Sequence, residues 1–284
     1  MYPASFEYVA PGSLQEAIKL LGQHGDDAKL LAGGHSLIPS MKLRLLEPKF
    51  LIDISRLPDM NGIREQEDTL VIGALTLHAD VAASDVVRRR VPGLGEAAGR
   101  IGDPQVRNRG TIGGSVAHAD PNADYPVILL ALGASFTLAG SNGTRSVAAD
   151  DFFADLFTTV LEPNEVVTEV HVPVAAGSAY AKFPHPASGY LVVSCGAALT
   201  KDGSGNCGSA RVVVGGLAGK PVRVSAVESA LTGKPLSTNT IAAAAAHAAE
   251  GTDPDDDLYA TADYKRHIAT VYARQAIEAA GQRA

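Results

Sequence analysis

Cysteine and tryptophan are almost absent from this chain of 284 residues, which has two cysteines and no tryptophan. Cys195 and Cys207 are too few for a disulfide framework or an iron–sulfur cluster, and such scarcity is typical of the reducing cytoplasm. Lysine and arginine (24) are outnumbered by aspartate and glutamate (31), giving a net charge of −7. This balance argues against nucleic acid or an anionic membrane as a partner. We therefore predict a cytoplasmic protein.

Long apolar runs are missing too. None approaches the roughly 18 residues of a transmembrane helix, and the N-terminus lacks the pattern of a secretory signal, so we predict no transmembrane segment.

The dinucleotide motif G-x-G-x-x-G is also absent. GLGEAAG (93–99) has a helical period and no strand before it, and in GGLAGKP (215–221) Pro221 stands where a phosphate loop requires Ser or Thr. We interpret both segments as structural.

The sequence contains 46% hydrophobic and 19% charged residues, a composition that supports a good core in one large or two medium domains. Ser13 and Glu16 form a capping box for a helix that ends at Gly25. Local patterns predict an α+β chain in which the small residues 174–179 act as a linker. Before the linker we predict strands at 28–33, 50–55, 69–76 and the end of 151–173, helices at 78–90 and 94–102, and a buried helix then a strand over 126–140. After it we predict strands at 190–200 and 209–224 and helices at 225–233, 238–251 and 262–280.

Two glycine pairs stand in similar settings, in AGGHS (32–36) and in TIGGS (111–115). A single Gly-Gly pair is usually a turn with nothing bound. Here each pair is followed by a serine, Ser36 or Ser115, whose hydroxyl would add to backbone amides left open by the missing side chains. Nests of backbone amides bind phosphate without a lysine. Two such loops converging would suit a pyrophosphate, the bridge of a dinucleotide.

Three segments together resemble the medium, FAD-binding subunit of molybdenum hydroxylases: AGGHSLIPSMKLR (32–44), IGDPQVRNRGTIGGSVAHADPNADYP (101–126) and DFFADLFTTVLEPNEVVTEVHVP (151–173). The resemblance is to the aerobic carbon monoxide dehydrogenase type, with xanthine dehydrogenase flavin domains as relatives, and covers nearly the whole chain. It implies an α+β fold in two domains. The first is a two-part FAD-binding domain of the vanillyl-alcohol oxidase (PCMH) type over 1–175, with subdomains of about 1–55 and 56–175. The second, over 176–284, is a smaller C-terminal flavoprotein domain of the carbon monoxide dehydrogenase type, a short antiparallel sheet packed on helices.

The resemblance also implies FAD as the cofactor and a set of residues that hold it. The two glycine loops would clamp the pyrophosphate, Asp124 would bind ribityl or ribose hydroxyls, and apolar side chains would line the flavin. Lys182 opens the second domain, which in the family covers one side of the isoalloxazine ring. We expect Asp124→Ala to weaken FAD binding without unfolding the chain. The implied FAD-binding residues are Ala32, Gly33, Gly34, His35, Ser36, Ile101, Thr111, Ile112, Gly113, Gly114, Ser115, Asp124, Leu161 and Lys182.

By the same resemblance, the chain is the FAD subunit of a multi-subunit, molybdenum-dependent dehydrogenase. It would take electrons from [2Fe–2S] clusters on a small subunit and pass them through FAD to an external acceptor. A molybdopterin site on a large subunit would feed those clusters, and we expect two copies of each of the three chains. We expect no catalytic side chain in this subunit, because the flavin carries the chemistry, and no metal site.

Two other functions stay open. A self-sufficient FAD oxidase of the vanillyl-alcohol oxidase superfamily would share the fold, although the part after residue 180 is short for a substrate domain. A flavin- or nucleotide-binding regulatory module would carry out no redox turnover.

Among the side chains near the two glycine loops, we expect His35 and His118 to be packed or hydrogen-bonded locally. Arg107 and Arg109 would either neutralise the pyrophosphate or lie on the surface, and the sequence does not choose between these roles.

Overall fold

A computed structural model describes residues 2–284. The first part of the chain is a three-stranded parallel sheet in the order β1-β3-β2, with helices in its crossovers. The predicted cap at Ser13 is confirmed, because Ser13 Oγ accepts from the amide of Glu16, while Glu16 Oε2 accepts from the amide of Gly12, one residue before the N-cap. Gly25, with φ of 51°, ends the helix. The elements are β1 (Glu7–Val9), α1 (Leu14–His24), a 3₁₀ turn (Gly25–Asp27), β2 (Ala28–Leu31), α2 (Leu37–Lys42) and β3 (Phe50–Asp53).

The middle of the chain is a five-stranded antiparallel sheet, ordered β4-β5-β10-β6-β7, with seven short helices. Among them, the predicted helix 78–90 is two helices, because Ser84 leaves helical geometry and caps the second through the amide of Val87. The strands are β4 (Ile63–Gln66), β5 (Thr69–Gly73), β6 (Ser135–Gly140), β7 (Gly143–Ala148), a hairpin of β8 (Phe153–Asp155) and β9 (Thr158–Thr159), and β10 (Val166–Pro173). The helices are α3 (His78–Ala83), α4 (Asp85–Arg90), α5 (Pro92–Gly99), α6 (Pro104–Arg107), α7 (Ile112–His118), α8 (Asp124–Ala131) and α9 (Ala149–Phe152).

The last part of the chain is a four-stranded antiparallel meander, β11 to β14, covered by three helices. The predicted linker 174–179 is wrong at its end, because β11 already begins at Ser178, whose buried hydroxyl accepts from the amide of Gly93. The predicted helix 238–251 is also too long, since it ends at Ala245. The elements are β11 (Ser178–Pro184), β12 (Leu191–Lys201), β13 (Cys207–Gly215), β14 (Val222–Arg223), α10 (Ser225–Leu231), α11 (Thr238–Ala245) and α12 (Ala262–Arg283).

Helix α8 joins the two halves of the molecule. All eight of its residues are buried, as expected for a helix that is apolar on every side. Glycines of the C-terminal sheet let it approach closely: a Cβ on Gly215 would lie 2.4 Å from Val127 Cγ2, and one on Gly196 would lie 3.2 Å from the backbone of Ile128. Two apolar cores result, one mainly within residues 17–172 and one within 179–280. Between residues 2 and 284, no helix is long and apolar enough to cross a membrane.

Candidate functional site

The first glycine loop presents free backbone amides. It leaves the end of β2 and leads into α2, and Gly34 has φ of 75°, a left-handed conformation that favours glycine. Within residues 2–284, the amides of Gly33, Gly34, His35 and Ser36 donate to no other protein group. His35 Nδ1 lies 3.1 Å from the carbonyl oxygen of Gly33, the local bond expected for this histidine. Four successive amides without a protein acceptor are what an anion-binding loop requires.

The two glycine loops converge. A Cβ added to Gly33 would lie only 2.2 Å from the carbonyl oxygen of Arg109, so the first loop packs directly on the backbone that leads into the second. On the other side, a Cβ on Gly114 would lie 4.0 Å from the Cβ of Ala32. Close backbone contact of this kind requires glycine.

The second loop differs from its prediction in one respect. TIGGS is the first turn of α7, with Thr111 as its N-cap, and its amides already have protein acceptors. Ile112 and Gly113 donate to the carbonyls of Thr76 and Ala74, while Gly114 and Ser115 donate to Thr111. The prediction of an amide nest in this second loop is therefore wrong. What the turn offers is the exposed, side-chain-free surface of Gly114 and the hydroxyl of Ser115.

The serine hydroxyls of both loops are available. In the described residues, neither Ser36 Oγ nor Ser115 Oγ bonds to another protein group, although the Ser36 carbonyl accepts from Ser40. Both serines are partly exposed. Together with the open amides of the first loop, they form a patch of hydrogen-bond donors at the junction of β2, α2 and α7.

Asp124 and Lys182, expected to act separately, form a buried ion pair. Lys182 Nζ donates to Asp124 Oδ1 at 2.8 Å and to the carbonyl oxygen of Arg100 at 2.9 Å. The Tyr180 hydroxyl donates to the same Oδ1 at 2.8 Å. Burial raises the pKa of Asp124, opposed by Lys182 and Tyr180. Asp124 Oδ2 accepts from no other residue in the described chain. The pairing changes the expectation for Asp124→Ala, since removal of the carboxylate strands a buried lysine.

Ile101 and Leu161, the apolar residues of the predicted set outside the two glycine loops, belong to other segments of the chain. Ile101 follows α5 and Leu161 follows the β8–β9 hairpin, and both are half-buried against the core of the first domain. The carbonyl of Ile101 accepts from Arg107, 2.9 Å from its Nη1. No cluster of His, Cys, Asp or Glu in residues 2–284 is arranged to hold a metal ion.

A cavity of about 550 Å³ opens between the two domains, and the sequence predicted little of it. Its wall joins five segments: the α7–α8 connection, the tip of the β8–β9 hairpin, the β11–β12 connection with the start of β12, the turn after β13, and the segment leading into α12. These segments are far apart in the sequence and meet only in the folded protein, so no local pattern predicts them. Tyr180 was missed as well, although residues 180 and 182 share a face of one strand. The lining residues include Asp120, Asn122, Phe157, His185, Tyr190 and Tyr259.

A small parallel sheet with a free-amide loop, joined to an antiparallel sheet and closed by a second α+β unit, defines a flavin-nucleotide-binding protein. Comparison with known proteins is specific. The FAD binding domain in molybdopterin dehydrogenase matches residues 4–175, and the CO dehydrogenase flavoprotein C-terminal domain matches residues 178–280. The chain belongs to this family of molybdopterin dehydrogenase flavoproteins, and FAD is its cofactor.

Individual relatives span the full chain. The carbon monoxide dehydrogenase medium chain of Hydrogenophaga pseudoflava is 45% identical, covering 100% of this chain and 99% of that one. The 6-hydroxypseudooxynicotine dehydrogenase complex subunit alpha of Paenarthrobacter nicotinovorans is 38% identical, with coverage of 100% and 97%. The solved carbon monoxide dehydrogenase of H. pseudoflava that lacks the Mo-pyranopterin moiety superposes with a TM-score of 0.95 at 46% identity, covering 100% and 99%. These matches confirm the predicted family, the α+β fold and the enzyme class.

Proposed function

We propose that this chain is the electron-transfer subunit of a molybdenum hydroxylase complex. It accepts electrons from [2Fe–2S] clusters of a small partner subunit and delivers them, through FAD, to an external acceptor. The observation that carries the proposal is the run of four unpaired amides, residues 33–36, in a loop that packs beside the exposed Gly114 of α7. When bound, FAD supplies the two-electron storage that no side chain of this protein can provide.

The pyrophosphate of FAD would be held at the convergence of the two loops. Gly33, Gly34, His35 and Ser36 would supply four amides, Ser36 would add one hydroxyl, and Ala32 would border the site beside Gly114. Gly114 lets the phosphates approach the backbone, and Ser115 supplies the second hydroxyl. Thr111, Ile112 and Gly113 act indirectly, because they fix the first turn of α7 through the Thr111 cap and the bonds to Thr76 and Ala74.

Residues outside the two loops would hold the rest of the cofactor. Asp124 Oδ1 is occupied by Lys182 and Tyr180, which leaves Oδ2 to accept from a ribityl or ribose hydroxyl. Lys182 would position Asp124 rather than touch the flavin. Ile101 and Leu161 would contribute apolar contacts to the flavin. The second domain, residues 176–284, would thus complete a site begun by residues 1–175 and their two subdomains, about 1–55 and 56–175.

Partner subunits follow from what this chain lacks. Its two cysteines are buried and lie in a strand core, so they cannot hold an iron–sulfur cluster. The clusters would reside on the small subunit and the molybdopterin on a large subunit, with two copies of each of three chains. The relatives named above are a carbon monoxide dehydrogenase chain and a 6-hydroxypseudooxynicotine dehydrogenase subunit. Since such similar chains serve such different reactions, the substrate would be set by the large subunit.

The proposal is tested by determining which electron donor reduces the bound FAD. The purified chain, loaded with FAD, should show an oxidised-flavin spectrum that bleaches with dithionite and returns in air. Co-expressed iron–sulfur partner, reduced under anaerobic conditions, should bleach the same bands at stoichiometric amounts. Bleaching by a small alcohol in the absence of partner would instead identify a self-sufficient oxidase. If neither the iron–sulfur partner nor the alcohol changed the flavin spectrum, the protein would instead be a regulatory module.

A further inference from the structure

Two arginines precede the second glycine loop, and the structure separates their roles. Arg107 makes hydrogen bonds within the protein, since its Nη1 donates to the carbonyls of Ile101 and Gly102, at 2.9 and 3.0 Å. The Arg109 guanidinium makes no hydrogen bond and no ion pair with any of residues 2–284, and Arg109 is exposed. In a chain of net charge −7, an arginine without an acidic partner at a predicted anion site requires an explanation.

The backbone of Arg109 is held rigidly at the junction of the two loops. Its amide donates to the carbonyl of Val106 at 3.1 Å, and the next amide, Gly110, donates to the same carbonyl at 2.8 Å. On the other side, the Arg109 carbonyl is the atom against which Gly33 packs. The origin of the side chain is therefore fixed next to the free amides 33–36, within the reach of an extended arginine.

We propose that Arg109 is a phosphate-binding residue that makes the site selective for the dinucleotide FAD over flavins without a pyrophosphate. This inference rests on the proposed function. Arginine presents a planar fork of N–H donors that matches two phosphate oxygens at once, whereas the amides of the loop each supply one. The open amides and hydroxyls would set the position of the pyrophosphate, and Arg109 would neutralise part of its charge.

The experiment compares FAD with riboflavin, which has no phosphate, by fluorescence titration of the full-length apoprotein. Arg109→Gln should weaken FAD binding about 10- to 100-fold, the range of one charge-assisted hydrogen bond, and leave riboflavin binding unchanged. It should also flatten the salt dependence of FAD binding, because one cationic contact is lost. Arg109→Lys should recover part of the affinity. Arg274→Gln is the charge-matched control. Arg274 lies on α12 and pairs, among the described residues, only with Glu278 at 3.7 Å, so this variant should leave the affinity for both ligands unchanged.

Each other result overturns the proposal. Wild-type FAD affinity in Arg109→Gln would place the guanidinium outside the site. An equal loss of FAD and riboflavin affinity would show that Arg109 only supports the loop, and a thermal melt would then reveal the damage. If the wild-type protein bound neither flavin, the proposed function itself would be refuted. That result differs from normal FAD binding by Arg109→Gln, which would refute only the role of Arg109.

Discussion

Lys182 Nζ lies 2.8 Å from Asp124 Oδ1, and both side chains are almost completely buried where the C-terminal sheet meets α8. Fifty-eight residues of sequence separate the two. The pair joins the domain that would cover the flavin to the helix that follows the second glycine loop. The same buried contact would also support the proposed cofactor site.

Removing one partner of this pair should be costly. Asp124→Ala should lower the free energy of unfolding by about 3–5 kcal/mol, because Lys182 is left buried without a counter-charge. The double variant Asp124→Ala/Lys182→Met should recover much of that loss, as urea unfolding will show. Glu47→Ala, which removes the exposed partner of Arg44, is the control and should change stability by less than about 1 kcal/mol. A single and a double variant of equal stability would contradict this account.

Gly33 should not tolerate a side chain. In Gly33→Ala the new Cβ would meet the Arg109 carbonyl oxygen at 2.2 Å, so the loops must separate. We expect a loss of about 1–3 kcal/mol in stability from overpacking and a protein purified without bound FAD. Gly22→Ala on α1 is the matched control, since its Cβ would have nothing within 4 Å and should stabilise the helix by up to about 1 kcal/mol. A yellow Gly33→Ala protein at full flavin stoichiometry would refute the packing of the loops as the reason for glycine.

His78 should make the fold sensitive to acid. Burial, with smaller effects of His35 and Arg107, lowers the pKa of His78 from 6.5 to about 4. Between these values the unfolded chain binds a proton that the folded chain refuses, so stability falls as pH falls through this window. The difference corresponds to roughly 3 kcal/mol, fully expressed below pH 4. Urea unfolding at pH 7 and pH 4.5 should show a steeper loss in the wild type than in His78→Gln, and parallel curves would contradict the prediction.

Both cysteines should be inert in the native protein. Burial raises the pKa of the Cys195 thiol to about 12 and raises that of Cys207, helped there by Asp202. The thiolate is the reactive form, so native protein should resist a thiol-specific reagent at pH 8 while urea-unfolded protein reacts at two sites. Rapid modification of the native chain would show that the strand core around Cys195 opens easily.

The sequence predicted local structure around the first glycine loop well because this structure depends on short stretches. The cap at Ser13 and the strand before AGGHS follow from neighbouring residues, and a glycine pair after a strand needs no distant partner to expose its amides. TIGGS was predicted less accurately. Its amides are taken by Thr76 and Ala74, residues of another segment, and nothing in the spacing of 111–115 reports that contact.

By itself, the amino-acid sequence indicated the family and the cofactor through its resemblance to known flavoprotein subunits, and it predicted the glycine turns and most helices and strands because these depend on neighbouring residues. Tertiary structure alone decided that Asp124 and Lys182 share one buried pair and that Arg107 is committed while Arg109 is free. It also created the cavity from five separate segments. The buried pair depends on the packing of the C-terminal sheet against α8, because burial makes each charge costly without the other.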